Sequence, residues 1–283
     1  VIARAGDDES LLFDALLELG YAANTREMRE QALAFMREAM ALQRARGLRD
    51  TRFAAGLNGL ATVLTEMDQR EEGVALFEEA LTIWEAKAPD SDGHLATLRG
   101  LANAWDHHTM FRPTGMAYLQ QVAELFTRRY GPVHHETAEV YRSISGVQAQ
   151  MGPLNEALEN SARAIEIFRQ TVGEAHVDTK FARNWRGRIL LALGRFDEAV
   201  ETADLVLATV VDSAEDLDYH WALHNRALAT FAMGELESSL ETFNKIDMDK
   251  LGGIQKREAA IARAFMLASA GQQEEGVELL RAF

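Results

Sequence analysis

One short pattern recurs seven times along the chain, and it restricts the fold more than any other feature. A small residue, usually preceded by acids, is followed four places on by a mostly bulky apolar residue. Three places further comes another apolar or small one. The copies read Ala32-Met36-Ala39, Gly73-Phe77-Ala80, Gly115-Leu119-Val122, Ala157-Ser161-Ala164, Ala199-Ala203-Val206, Ser239-Phe243-Ile246 and Gly276-Leu280-Phe283. Anchors at 32, 73, 115, 157, 199, 239 and 276 are 41, 42, 42, 42, 40 and 37 residues apart. Regularity of this kind marks a repeat array.

Steps of four and three put the three side chains of each copy on one helical face. A second apolar helical stretch precedes each anchor, as in Leu16-Leu19-Ala23 and Leu57-Leu60-Leu64. Between the two lies a short turn, such as Leu193-Gly194-Arg195-Phe196 or Met233-Gly234-Glu235. Glycine there suits a left-handed helix C-cap. Gly20, Ala61, Ala102, Gly187 and Ala227 are the small residues of the first helices. They are expected to face Ala32, Gly73 and Ala199, letting paired helix axes approach closely. The expected fold is all-α: about seven helix-turn-helix repeats in one domain over 1–283. Approximate repeats are 11–50, 51–93, 94–136, 137–178, 179–217, 218–254 and 255–283, the last truncated.

Two copies depart from the pattern. The third carries one extra residue around His107 to Pro113, and in the fifth Arg183 and Arg186 stand where core residues are expected. Either that helix is rotated or its arginines snorkel outward.

The pattern resembles the tetratricopeptide repeat, normally about 34 residues long. The extra length follows the anchor and ends in Gly131-Pro132-Val133-His134-His135-Glu136-Thr137 and Gly173-Glu174-Ala175-His176-Val177-Asp178-Thr179. Long second helices followed by G-x-x-H-x-x-T are similar to kinesin light chain repeats and their bacterial relatives, most strongly from Phe53 to Gly194. The resemblance implies a right-handed superhelical solenoid whose first helices line a concave groove that holds peptides. Such arrays also occur as regulatory or sensor regions of bacterial signalling proteins, of the Ser/Thr kinase or STAND ATPase type. That is the alternative reading, with intramolecular or self-association contacts.

Counted from each small first-helix residue, the inward places are three before and one after. They hold Asn58 and Thr62, Arg99 and Asn103, Arg142 and Gly146, Asn184 and Arg188, His224 and Leu228. The candidate groove is therefore Asn58, Thr62, Arg99, Asn103, Arg142, Asn184, Arg188 and His224. Asparagine both donates to and accepts from a peptide backbone, and arginine forks onto carboxylates. The expected partner is an extended peptide or protein, with acidic residues.

Other function classes find little support. A formal charge of −15, from 29 basic and 44 acidic side chains, opposes nucleic acid and anionic lipid. Cysteine is absent, which excludes thiolate metal sites and disulfides and suits a cytoplasmic location. No apolar run reaches membrane-span length. Val1 to Ser10 contain Arg4, Asp7, Asp8 and Glu9, so they form no signal-peptide core, and the absent start methionine reads as a fragment. No nucleophile elbow, phosphate loop, dinucleotide fingerprint or zincin motif is present, so neither catalysis nor a cofactor is expected. Asp216, His220 and His224 share one helical face, but read as structural, as do the doublets His107-His108 and His134-His135. Trp84, Trp105, Trp185 and Trp221 are expected in cores or between repeats, and the acid run from Asp197 to Asp218 on a solvated face. Apolar surface is expected beyond the last copy, which allows self-association through the array ends.

Overall fold

The computed structural model describes residues 2–25, 28–106, 112–210, 216–251 and 253–281. Among these residues there are fourteen α-helices and no strand. The chain divides into two compact units, Val1–Arg129 and Tyr130–Phe283. The N-terminal unit holds α1 (Ile2–Thr25), α2 (Arg29–Ala45), α3 (Thr51–Glu66), α4 (Arg70–Lys87), α5 (Asp92–Asp106) and α6 (Arg112–Tyr130), which ends at the boundary. The C-terminal unit holds α7 (His135–Met151), α8 (Leu154–Thr171), α9 (Val177–Ala192), α10 (Phe196–Leu207), α11 (Leu217–Ala232), α12 (Leu236–Phe243), α13 (Gly253–Ser269) and α14 (Gln273–Arg281). Odd-numbered helices are the first, and even-numbered the second, of each pair. The irregular third turn, with His107 and His108, lies outside the described residues.

Small residues twelve apart bring the helices of a pair into contact. A Cβ added to Gly73 would stand 3.0 Å from the carbonyl oxygen of Ala61, and one on Gly276 would stand 2.8 Å from that of Ala264. Where serine replaces glycine, its hydroxyl uses the same proximity. Ser145 donates to the Ala157 carbonyl at 2.8 Å, and Ser239 to the Ala227 carbonyl at 2.7 Å. The first six copies of the pattern are buried throughout. Each unit is therefore a stack of helix pairs, the arrangement of a helical-repeat solenoid.

The G-x-x-H-x-x-T segments act as compact joints between pairs. Gly131 and Gly173 have φ of +88° and +96°, a region costly for residues with a Cβ. His134 and His176 then cap α7 and α9, each Nδ1 accepting the backbone N–H two residues on, at 3.3 Å. Thr137 and Thr179 close the loop by donating to the Gly131 and Gly173 carbonyls, at 3.2 and 2.7 Å. Three residue types thus end one helix and start the next.

Of the two unexpected arginines, Arg183 is buried and Arg186 partly so. Arg183 is ion-paired with Glu174. Arg186 donates from Nη1 to the Leu158 carbonyl at 3.1 Å and to Ser161 Oγ at 3.4 Å. Burial lowers its pKa. Ser161 occupies the place that Met36, Phe77, Leu119 and Phe243 fill in other copies. A missing large side chain on α8 makes room for a guanidinium from α9, so the helix need not rotate.

Candidate functional site

In the N-terminal unit, α3 and α5 lie side by side as consecutive first helices, with α4 behind them. Between them opens a cleft of about 450 Å³, lined by Thr62, Thr65, Glu66, Arg70, Phe77, Ala96, Arg99, Gly100, Asn103 and Ala104. Its depth has a simple origin. Gly100 lies so close to Phe77 that a Cβ there would meet the ring at 2.4 Å, so the ring of α4 forms the floor. The structure brings Thr62, Arg99 and Asn103 together on these walls, all three exposed. Thr62 donates to its own helix at Asn58, 2.9 Å, leaving lone pairs on the hydroxyl for a ligand donor. Asn58 is half-buried, and its Oδ1 has no protein partner.

Glu66 is the one carboxylate among the described residues of the lining, and Arg29 already binds it at 3.3 Å. Arg70, whose guanidinium pairs with Asp68 at 3.0 Å, and Arg99 line the same cleft. Arg70 escaped the sequence reading because it belongs to the second helix; it enters only where that helix starts beside Glu66.

The C-terminal unit treats the same register differently. Asn184 is 1% exposed; its amide donates to the carbonyl and to Oδ1 of Asp218, both at 3.0 Å. Asn225 in turn donates to the Asn184 carbonyl at 2.9 Å. His224 is 6% exposed and edge-on to Phe243. Of these two expected groove residues, Asn184 is therefore packed against the next first helix, α11, and His224 against α12 of its own pair. Arg142 is half-buried, ion-paired with Glu139, and lies 5.0 Å from the Phe181 ring centroid. Arg188 pairs with Glu258 at 3.1 Å and lies over Trp185 at 5.7 Å. Both arginines keep exposure beside an aromatic surface of Phe181 and Trp185, which the polar-residue count had passed over.

Asn184 supports a stability prediction. Asp218 is buried, which raises its pKa, while the Asn184 hydrogen bond opposes that rise. Asn184→Ala would leave the carboxyl without this donor, at a cost of about 2 kcal/mol. Urea unfolding followed by tryptophan fluorescence should show it; an unchanged midpoint would mean the bond contributes nothing.

The trio Asp216, His220 and His224 does not converge on an ion. Asp216 caps α11 and pairs with Lys180, His220 accepts from the Asp247 N–H at 3.2 Å, and His224 is packed as described. A different group, His135, Glu139 and Asp178, brings ligand atoms within 4.8 Å of one another. Sequence reading missed it because Asp178 comes from another helix. Within it His135 Nε2 lies 3.7 Å from Asp178 Oδ2, and Glu139 is already paired with Arg142. Trp84 and Trp221 are buried and Trp185 partly so; the side chain of Trp105 lies outside the described residues. The acid run does not form one surface, since Asp204 pairs with Arg226 and Asp218 is buried; Asp212 and Glu215 lie outside the described residues. No helix among the described residues is long and apolar enough to cross a membrane.

Residues 53–91 match the family model described as Tetratricopeptide repeat. Among solved structures, a kinesin light chain-like protein of Podosopora anserina with nearly identical TPR-like repeats is 21% identical. The match covers 69% of this chain and 93% of that one, with a TM-score of 0.62. The apo form of RapI is 12% identical over 99% of this chain and 77% of its own, with a TM-score of 0.73. A Rap protein complexed with competence and sporulation factor is 14% identical over 96% and 73%, with a TM-score of 0.59. One segment of the chain thus matches a tetratricopeptide repeat, and the fold is that of a helical-repeat solenoid. In that fold the chain is similar to proteins with kinesin light chain-like repeats.

Proposed function

We propose that the chain is a non-catalytic scaffold that binds an extended, acidic peptide or protein segment on its first-helix faces. The observation that carries this reading is the cleft between α3 and α5. It places Arg70 and Arg99 beside Asn103 and Thr62 over an aromatic floor. Guanidiniums attract carboxylates, the amide and hydroxyl suit a peptide backbone, and the ring accepts an apolar side chain. The Rap protein bound to a factor shows that a similar fold accepts a ligand. A regulatory region of a larger signalling protein would use the same faces in cis.

The test is fluorescence anisotropy with labelled dodecapeptide pools that are acidic, neutral or basic. Acidic pools should bind best, and Arg99→Glu with Asn103→Ala should weaken them by about 10- to 100-fold, the worth of one or two charge-assisted contacts. Arg142→Glu and Arg188→Glu probe the C-terminal unit in the same way. Equal binding of all three pools, or affinity unchanged in every variant, would refute the proposal.

We also infer that the ends of the array self-associate, on the strength of the exposed apolar side chains of α1, α13 and α14.

A further inference from the structure

The joint between α7 and α9 carries a group of side chains that neither the groove nor the packing explains. Ten and six places before the small first-helix residue stand Val177 and Phe181 in α9, and Leu217 and Trp221 in α11. In α7 the same two places hold His135 and Glu139. Four residues apart on one helix, these two share a face. The first turn of α9 adds Asp178, and the ligand atoms of all three lie within 4.8 Å of one another. Each group is held in place from behind. His135 opens α7 with its ring edge-on to the buried ring of Phe168, 5.3 Å between centroids. The backbone N–H of Asp178 donates to His176 Nδ1 at 3.3 Å, which fixes the start of α9. Glu139 is paired with Arg142, which also lies over Phe181. The imidazole of His135, by contrast, makes no hydrogen bond among the described residues. Its Nδ1 is buried without a protein partner, and its Nε2 stands 3.7 Å from Asp178 Oδ2, beyond hydrogen-bond reach.

The geometry points to a metal site: we propose that His135, Glu139 and Asp178 bind one divalent transition-metal ion, with zinc as its best representative, and that the ion ties α7 to α9. One imidazole and two carboxylates form a set that zinc accepts, at bond lengths of about 2.0–2.2 Å, so that ligand atoms around a tetrahedral ion stand about 3.4 Å apart. His135 Nε2 and Asp178 Oδ2 are already near that spacing. Ligation costs the imidazole no hydrogen bond, and the two carboxylates match the charge of the ion. Glu139 joins by exchanging Arg142 for the metal, so the guanidinium is a built-in competitor. The imidazole favours zinc over magnesium and calcium, which prefer shells made of oxygen alone. All three residues are partly exposed, which gives the ion a way in and lets water complete its coordination.

Isothermal titration of the 283-residue chain with zinc chloride at pH 7.5, in a buffer that does not chelate, should show one site per chain. Magnesium and calcium chloride should bind there at least about tenfold more weakly. His135→Gln and Asp178→Asn keep the size of partly exposed side chains, and circular dichroism checks that the helices persist. Each should weaken zinc binding at least about tenfold. Arg142→Gln removes the competitor of the ion and should tighten zinc binding by about 2- to 5-fold, the worth of a partly exposed ion pair. A merely structural role for Arg142 would not produce that gain. A parent chain that takes up no zinc, or binds magnesium as well as zinc, overturns the proposal. Zinc binding that either His135→Gln or Asp178→Asn leaves unchanged does the same, because the ion then sits elsewhere. Binding that Arg142→Gln fails to tighten removes Glu139 from the ligand set and with it the site as drawn.

Discussion

Ala199→Glu is expected to cost the C-terminal unit about 4 kcal/mol or more, while the adjacent Glu198→Ala changes stability by less than about 0.5 kcal/mol. Ala199 is 0% exposed and belongs to the apolar cluster of Leu158, Ile189, Leu190 and Ala229. It sits twelve residues after Gly187, at the crossing point of α9 and α10. A carboxylate at that point must lose its solvation without a partner or force the pair apart, and either disrupts the junctions on both sides. Glu198 instead pairs with Arg195 at the exposed turn, where solvent screens the attraction. Repeat arrays open piecewise, so urea unfolding should be read together with hydrogen exchange resolved by helix. Protection should fall first in α9 and α10. Equal midpoints for the two variants would show that the small-residue crossings do not hold the stack together.

The second large effect concerns pH. The imidazole of His224 is pushed down to about 4 from an ordinary 6.5, first by burial, then by repulsion from Arg188, with Glu258 acting in the opposite direction. Between those two values the unfolded chain takes up a proton that the folded chain resists. The stability linked to this ring is therefore complete above about pH 6.5 and declines as the pH falls toward 4, by at most about 3 kcal/mol. Asp218 contributes with the opposite sign, because its pKa is raised by burial. The informative quantity is thus the difference between the parent and His224→Met, in which all other groups cancel. Urea midpoints measured from pH 7.5 to 4 should converge toward the acid end as the parent loses its advantage. Parallel curves would mean that the ring protonates as easily inside the protein as outside.

The places of Thr62, Arg99 and Asn103 were legible because the repeat fixes a helical register, and their helices leave that stripe open in the N-terminal unit. Asn184 and His224 follow the same register but are buried. Their identity as polar residues says nothing about the helix that comes to lie on them. Arg186 shows the converse. Its sequence position demands an apolar residue, and only Ser161, 25 positions away, explains how a guanidinium fits.

Periodicity alone determined that this chain forms paired helices, where each pair crosses, and which residues must be small. Those properties depend on contacts twelve residues apart or fewer, within one hairpin. The tertiary structure decided which polar side chains remain open to a ligand and which become joints. It also decided that Phe77 would floor a cleft and that Ile261, Phe265 and Leu280 would face outward. Exposure is set by neighbours roughly forty residues away, and no pattern within a single repeat encodes what the next repeat covers.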